Sequence, residues 1–207
     1  MSAARTAILA RLTSAQRTAE LPASPVVSAL KPTPRDTAEC VERFRQELRA
    51  LAVDCRVEES AEAVRGRVRE LTEGKRILAW DAEHLPYDVA SVVAGAISGR
   101  APREAQAQAE VGVTGCLTAI AETGSLALVS GPGRSRAVSL LPPVHLAVVR
   151  RADLVFSMGE FFRGRGAELD AAASCTFVTG PSRTADIELT LTLGVHGPGR
   201  VVVVVGP

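Results

Sequence analysis

The sequence predicts an α/β fold: a sheet built through crossover helices, with an N-terminal helical arm before it and a C-terminal β-hairpin at its end. Three observations carry that prediction. Between residues 36 and 80, helical apolar spacing alternates with short apolar runs, the helix–strand–helix–strand pattern of a parallel sheet. Residues 144–149 form a nearly unbroken apolar run, as in a strand buried on both faces. Residues 187–193 then switch to period two, with Ile187, Leu189, Leu191 and Leu193 set against Glu188, Thr190 and Thr192.

The elements follow in order. Residues 2–16 read as a helix with Ile8, Leu9 and Leu12 on one side. Residues 21–34 hold four prolines and read as an extended connection, so 1–34 is assigned as arm and connection and 35–207 as a single α/β domain. Asp36 can cap a helix in which Ala38, Val41, Phe44, Leu48 and Leu51 keep helical spacing. Residues 53–57 read as a strand. A charged helix follows with Ala61, Val64, Val68 and Leu71 inward and Arg65, Arg67 and Arg69 outward, ended by Gly74. Residues 76–80 are the next strand, and 88–97 read as another helix. Strands are expected at 110–113 and 125–130, with 116–122 as a short helix between them. Residues 152–162 read as helix and 175–179 as strand. The turn residues His196-Gly197-Pro198-Gly199 would join 187–193 to the valine run 201–205 in the hairpin.

Composition narrows the function classes. A chain of 207 residues can bury one substantial core. Basic and acidic residues nearly cancel, 24 against 23, and there is one Trp and one Tyr, so no nucleic acid partner is expected. The longest apolar run is too short to span a bilayer, and residues 1–15 lack the apolar centre of a signal peptide. A cytoplasmic protein is the expectation. Cys40, Cys55, Cys116 and Cys175 are irregularly spaced without a Cys-x-x-Cys pair, which is expected of reduced structural thiols. Neither they nor the scattered histidines have metal-ligand spacing, so no metal and no cluster is expected in this chain.

Two glycine-rich stretches, 111–145 and 179–198, concentrate the groups that could do chemistry. Ala121-Glu122-Thr123-Gly124-Ser125 places a carboxylate at a tight turn before a strand. Such a Glu can act as nucleophile, base or ligand clamp. Spacing alone favours the plainer account, in which Glu122 accepts from backbone N–H groups of the turn. Ser130-Gly131-Pro132-Gly133-Arg134-Ser135-Arg136 combines close backbone approach at Gly131 and Gly133 with two forked donors suited to carboxylate or phosphate. It is neither a Walker motif nor a dinucleotide fingerprint. In Thr179-Gly180-Pro181-Ser182-Arg183-Thr184-Ala185-Asp186, backbone N–H groups near Gly180 could bind an anion, with Ser182, Arg183 and Thr184 adding donors. Asp186 is a local cap or the partner of a histidine, and His145 and His196 are the titrating candidates, a structural role being the commoner one.

Six segments occur in order: Val111-Gly112-Val113-Thr114-Gly115, Ala121-Glu122-Thr123-Gly124, Ser130-Gly131-Pro132-Gly133-Arg134, Leu140-Leu141-Pro142-Pro143-Val144-His145, Thr179–Glu188 and Gly194-Val195-His196-Gly197-Pro198. That series resembles the LUD-domain family, and within it the lactate-utilization protein C branch. The resemblance implies a fold similar to the sugar-phosphate isomerase and CoA-transferase superfamily. It implies a part in bacterial oxidation of L-lactate to pyruvate beside an iron–sulfur protein, with the clusters held by that partner. Class I CoA transferases use a Glu in a short Glu-x-Gly turn as acyl acceptor, and Glu122-Thr123-Gly124 looks similar.

Two functions therefore stand at this stage. The first is a cluster-free subunit or ligand-binding partner holding a small anionic ligand, with Arg134, Arg136 and Arg183 as clamp, Glu122 and Asp186 shaping the pocket, and Thr123, Gly124, Gly131, Gly133, Gly180, Ser182 and Thr184 lining it. The second is a stand-alone CoA-transferase-like or isomerase-like enzyme with Glu122 as catalytic carboxylate and Asp186 and His196 as further candidates. A homo-oligomer is left open in either case.

Overall fold

The computed structural model describes residues 3–18, 36–184 and 192–207. Contacts divide the chain into two units, Met1–Thr33 and Pro34–Pro207. In the first, α1 (Ala3–Thr18) carries Ile8, Leu9 and Leu12 as exposed side chains. No helix among the described residues is long and apolar enough to cross a membrane.

In the second unit, α2 (Thr37–Ala50) buries Cys40, Phe44 and Leu48, one residue per turn along a single face. Asp36 stands at its N-cap without a side-chain bond to the helix. β1 (Asp54–Val57) follows, then α3 (Ala61–Thr72), whose Ser60 cap accepts from Ala63 N–H and whose Val64, Val68 and Thr72 are buried. The chain continues through β2 (Ile77–Ala79), β3 (Ile97–Ser98), α4 (Arg103–Gln106), β4 (Val111–Thr114), β5 (Thr118–Ile120) and β6 (Ser125–Val129). Next come α5 (Ala137–Leu140), β7 (Val144–Arg150), β8 (Leu154–Val155), α6 (Met158–Gly164) and α7 (Gly166–Ala171). β9 (Cys175–Val178), β10 (Arg183–Thr184), β11 (Thr192–Leu193) and β12 (Arg200–Gly206) complete it.

The main sheet has six strands in the order β1-β12-β7-β4-β2-β3, each parallel to its neighbours. The bare apolar runs of β12, β7 and β4 occupy its middle and are buried nearly throughout, because a parallel sheet is covered on both faces. A second sheet, β8-β5-β6-β9, is mixed, with β5–β6 and β6–β9 antiparallel and β5–β8 parallel. A smaller core lies against it. Phe161 there meets Phe162 and Phe177 edge to face, at centroid distances of 5.1 and 5.2 Å.

Four local expectations differ from this architecture. Residues 88–97 do not form an α-helix. A 3₁₀ segment, Pro86–Ser91, starts at a proline and is bent by left-handed Tyr87 and Asp88. Residues 116–122 contribute strand β5 instead of a helix, since a short buried apolar run fits either element and pairing with β6 and β8 decides it. Residues 152–162 are interrupted, a 3₁₀ turn and β8 preceding α6, which begins at the Ser157 cap. The expected hairpin is replaced as well. β12 has parallel partners on both edges, so it has no free edge for 187–193, and β11 pairs antiparallel with β10. Residues 185–191 lie outside the described residues.

Gly112 sets how closely α5 sits on the sheet. A Cβ built there would fall 1.8 Å from the Val138 carbonyl oxygen, a backbone atom that cannot swing aside. Gly112→Ala is expected to destabilise the fold by at least about 2 kcal/mol in urea unfolding. An unchanged midpoint would show that α5 can lift off β4 freely.

Candidate functional site

A cavity of about 420 Å³ opens where β2, β4, β6 and β7 end. Three of these are adjacent parallel strands of the main sheet, and crevices beyond the carboxyl ends of such strands are where open α/β sheets bind ligands. Trp80 and the 3₁₀ turn Ala82–His84 come from the end of β2, Cys116 from beyond β4, Val129 from β6, and Val148 and Arg150 from β7. Asp153, Arg165 and Glu168 close the opposite wall.

The Gly131-Pro132-Gly133 turn brings Arg134 to the cavity beside Trp80 and His84. Gly133 adopts φ +71° and a Cβ there would meet the His84 ring at about 3 Å. The turn is fastened by Asp81 N–H donating to Gly133 O and by His84 Nε2 at 3.0 Å from Pro132 O. Trp80 Nε1 donates to Ser135 O on the other side of Arg134. The Arg134 Nε is buried and has no hydrogen-bond partner among the described residues. By contrast Arg150 forms a two-pronged pair with Asp153, and Arg165 donates to Glu168 and to Thr118 Oγ1. Cys116 lines the cavity as a neutral thiol, its pKa pushed up by burial and then by Asp153.

The other residues expected at a site are placed elsewhere. The Glu122 carboxylate accepts from Met158 N–H at 2.9 Å, at the start of α6, and does not line the cavity. Thr123, Ser125 and Thr179 form a short hydroxyl chain with contacts of 2.8 and 2.7 Å. Gly124 and Gly180 both pack on Leu51 at the end of α2, where Arg183 donates to the Leu51 carbonyl. Gly194 N–H donates to Ser182 O and Ser182 N–H donates to Pro198 O beside the β10–β11 ribbon, Thr184 pairs with Thr192 within it, and His196 is exposed in the following turn. Arg136 is exposed at the start of α5. Asp186 lies outside the described residues. Of the candidate residues in the glycine-rich stretches, Arg134 is the one among the described residues that lines the cavity.

Arg150, Asp153 and Arg165 were not among the sequence candidates. A signal for the first two existed: charged residues directly after an apolar central strand stand at the ligand-binding edge of a parallel sheet. All four cysteines are free. Among the described residues no group of three His, Cys, Asp or Glu side chains is placed to hold a metal ion.

His145 lies in the interior of the sheet. It is fully buried, with Nε2 at 2.9 Å from Thr114 Oγ1 and Nδ1 without a partner among the described residues. Burial lowers its pKa from 6.5 to about 4. The folded ring stays neutral while the unfolded one takes up a proton, so the fold keeps full stability above pH 6.5 and loses it as pH falls toward 4. This single group contributes a slope of up to about 1.4 kcal/mol per pH unit in that window. His145→Gln should flatten the corresponding part of a stability–pH curve measured by urea unfolding. Parallel curves for the two proteins would contradict it.

Residues 41–205 match the LUD domain family. Proteins named lactate utilization protein C are similar to this chain. That of Halalkalibacterium halodurans is 40% identical over 47% of this chain and 44% of its own length. The one from Bacillus subtilis is 34% identical over 61% and 49%, and the one from Shouchella clausii is 31% identical over 84% and 81%. The chain spans about half the length of most curated relatives it matches. The crystal structure of a DUF162 family protein from Deinococcus radiodurans aligns with a TM-score of 0.69 at 24% identity, covering 84% of this chain and 100% of that one. That likeness concerns the fold. With the match running through both sheets and the cavity between them, the chain belongs to the LUD domain family.

Proposed function

We propose that this chain is a cluster-free component of a bacterial system that oxidises L-lactate to pyruvate, and that it binds a small anionic ligand in the cavity beside Arg134. The electrons would pass to an iron–sulfur protein partner, since the chain offers neither a dinucleotide fingerprint nor clustered cysteines to receive them. The names of the relatives support the pathway, and the cavity supports the ligand class.

One observation carries the binding reading. Arg134 lines a cavity in which the other two guanidiniums are held by carboxylates, and its own buried Nε has no partner among the described residues. A buried donor without a partner is costly, and an incoming carboxylate relieves that cost with charge-assisted hydrogen bonds. Glu122 is occupied by Met158 N–H, so this account gives it a structural part and sets aside the transferase-like role.

Titration calorimetry with L-lactate and pyruvate tests this. Arg134→Gln is expected to weaken binding at least about tenfold, the worth of one hydrogen bond to a charged group. Glu122→Gln should leave binding unchanged. Equal affinity of the wild type and Arg134→Gln would overturn the site. For the partner, the full chain purified from lactate-grown cells should bring an iron–sulfur protein with it. Growth on lactate supported by this chain without such a protein would overturn that half.

A further inference from the structure

Asp153 is the buried acid of the cavity wall, 8% exposed, in the turn that follows β7. Its Oδ2 accepts from Arg150 Nε at 2.6 Å and its Oδ1 from Arg150 Nη2 at 3.2 Å. Arg165 Nη2 lies 3.9 Å from the same Oδ1. Arg165 is held further by Glu168 at 3.1 Å. Glu83 stands at the rim, its side chain 73% exposed and 3.3 Å from His84. Three guanidiniums thus line one cavity, and two of them are already neutralised by carboxylates of the chain itself.

We propose that Asp153 is a specificity-determining residue that fixes the charge the cavity accepts: by holding Arg150 and Arg165 it leaves Arg134 as the cation for a ligand with one carboxylate and turns away a second negative group. This rests on the reading of Arg134 given above. A second anionic group could bind the Nε and Nη2 edge of Arg150 only by displacing Asp153 from a two-pronged, charge-assisted pair. Left beside that pair, it would face the Asp153 carboxylate at short range in a partly desolvated cavity, where like charges repel strongly. Discrimination against the wrong ligand then comes from a built-in repulsion as well as from the contact to Arg134.

L-lactate and tartronate test it, because tartronate keeps the 2-hydroxy acid and replaces the methyl group by a second carboxylate. In calorimetry at neutral pH the wild-type chain should bind L-lactate at least about tenfold more tightly than tartronate. Asp153→Asn should shift that ratio toward tartronate by about tenfold, the value of one freed charge-assisted bond. Glu168→Gln, which frees Arg165 at a more exposed position, should shift it in the same direction and keeps the test available where loss of the buried acid prevents folding. A drop in thermal stability with an unchanged ratio in the folded variants would make Asp153 a structural residue and overturn the proposal, with the Arg134 site left standing. Equal binding of both ligands by the wild type would also overturn it. If neither ligand binds the wild type, or Arg134→Gln binds both as well as the wild type does, the Arg134 site fails and this proposal falls with it.

Discussion

The placement of the final strand is the constraint on which the rest depends. β12 is last in sequence but lies between β1 and β7, hydrogen-bonded in parallel to both. Its five consecutive valines are buried, so its edges and both its faces are satisfied within the domain. The sheet therefore cannot close until contacts spanning most of the chain have formed, a non-local requirement that slows folding. It also fixes β7 next to β4, and that pair sets the floor from which the cavity opens.

All six strands of the main sheet run in the same direction, so their carboxyl ends gather at one edge. Four loops meet there, and Val129 of the mixed sheet joins the lining. Charged groups at that edge must be paired or face a ligand, because burial penalises an unpartnered donor. Arg150 and Arg165 take the first course, while the Arg134 Nε has no partner among the described residues, which is why the proposed ligand is placed there. The division follows from chain position. Arg150 is three residues before Asp153 and Arg165 three before Glu168, so local geometry supplies their partners. Arg134 leaves a glycine–proline turn that carries no acid.

Much of the fold could be read in the sequence because periodicity reports burial. The 3.6-residue spacing of Phe44 and Leu48, and of Val64 and Val68, and the apolar run of β7 each mark a buried face. The misread elements are those in which tertiary pairing overrides a local pattern. The run around Ile120 is equally apolar as helix or strand, and only β6 and β8 decide it. The alternation at 187–193 suggested the nearest valine run as partner, yet the parallel sheet took that run for its centre. Of the side chains gathered from the glycine-rich stretches, Arg134 lines the cavity, while Glu122 and Arg183 serve backbone atoms at α6 and the end of α2. Asp153 and Arg165 were not singled out, because chain position alone does not show that they line the same cavity as Arg134.

The far wall of the cavity is coupled to the same central strand. Pro86 lines the cavity, and the two residues after it, Tyr87 and Asp88, have φ of 60° and 54°. Neither is glycine, and such conformations cost roughly 1–3 kcal/mol each. They persist because neighbours determine them. Tyr87 Oη donates to Pro207 O at 2.6 Å, just past the end of β12, and the Tyr87 ring packs on Gly206. Arg65 from α3 donates to the Tyr87 carbonyl. Burial also raises the Tyr87 pKa, so the phenol stays protonated and keeps its donor role. The strand that organises the sheet thereby also holds the turn that shapes the cavity. Slippage of β12 would remove the Pro207 acceptor and the Gly206 contact that hold Tyr87 in its strained conformation.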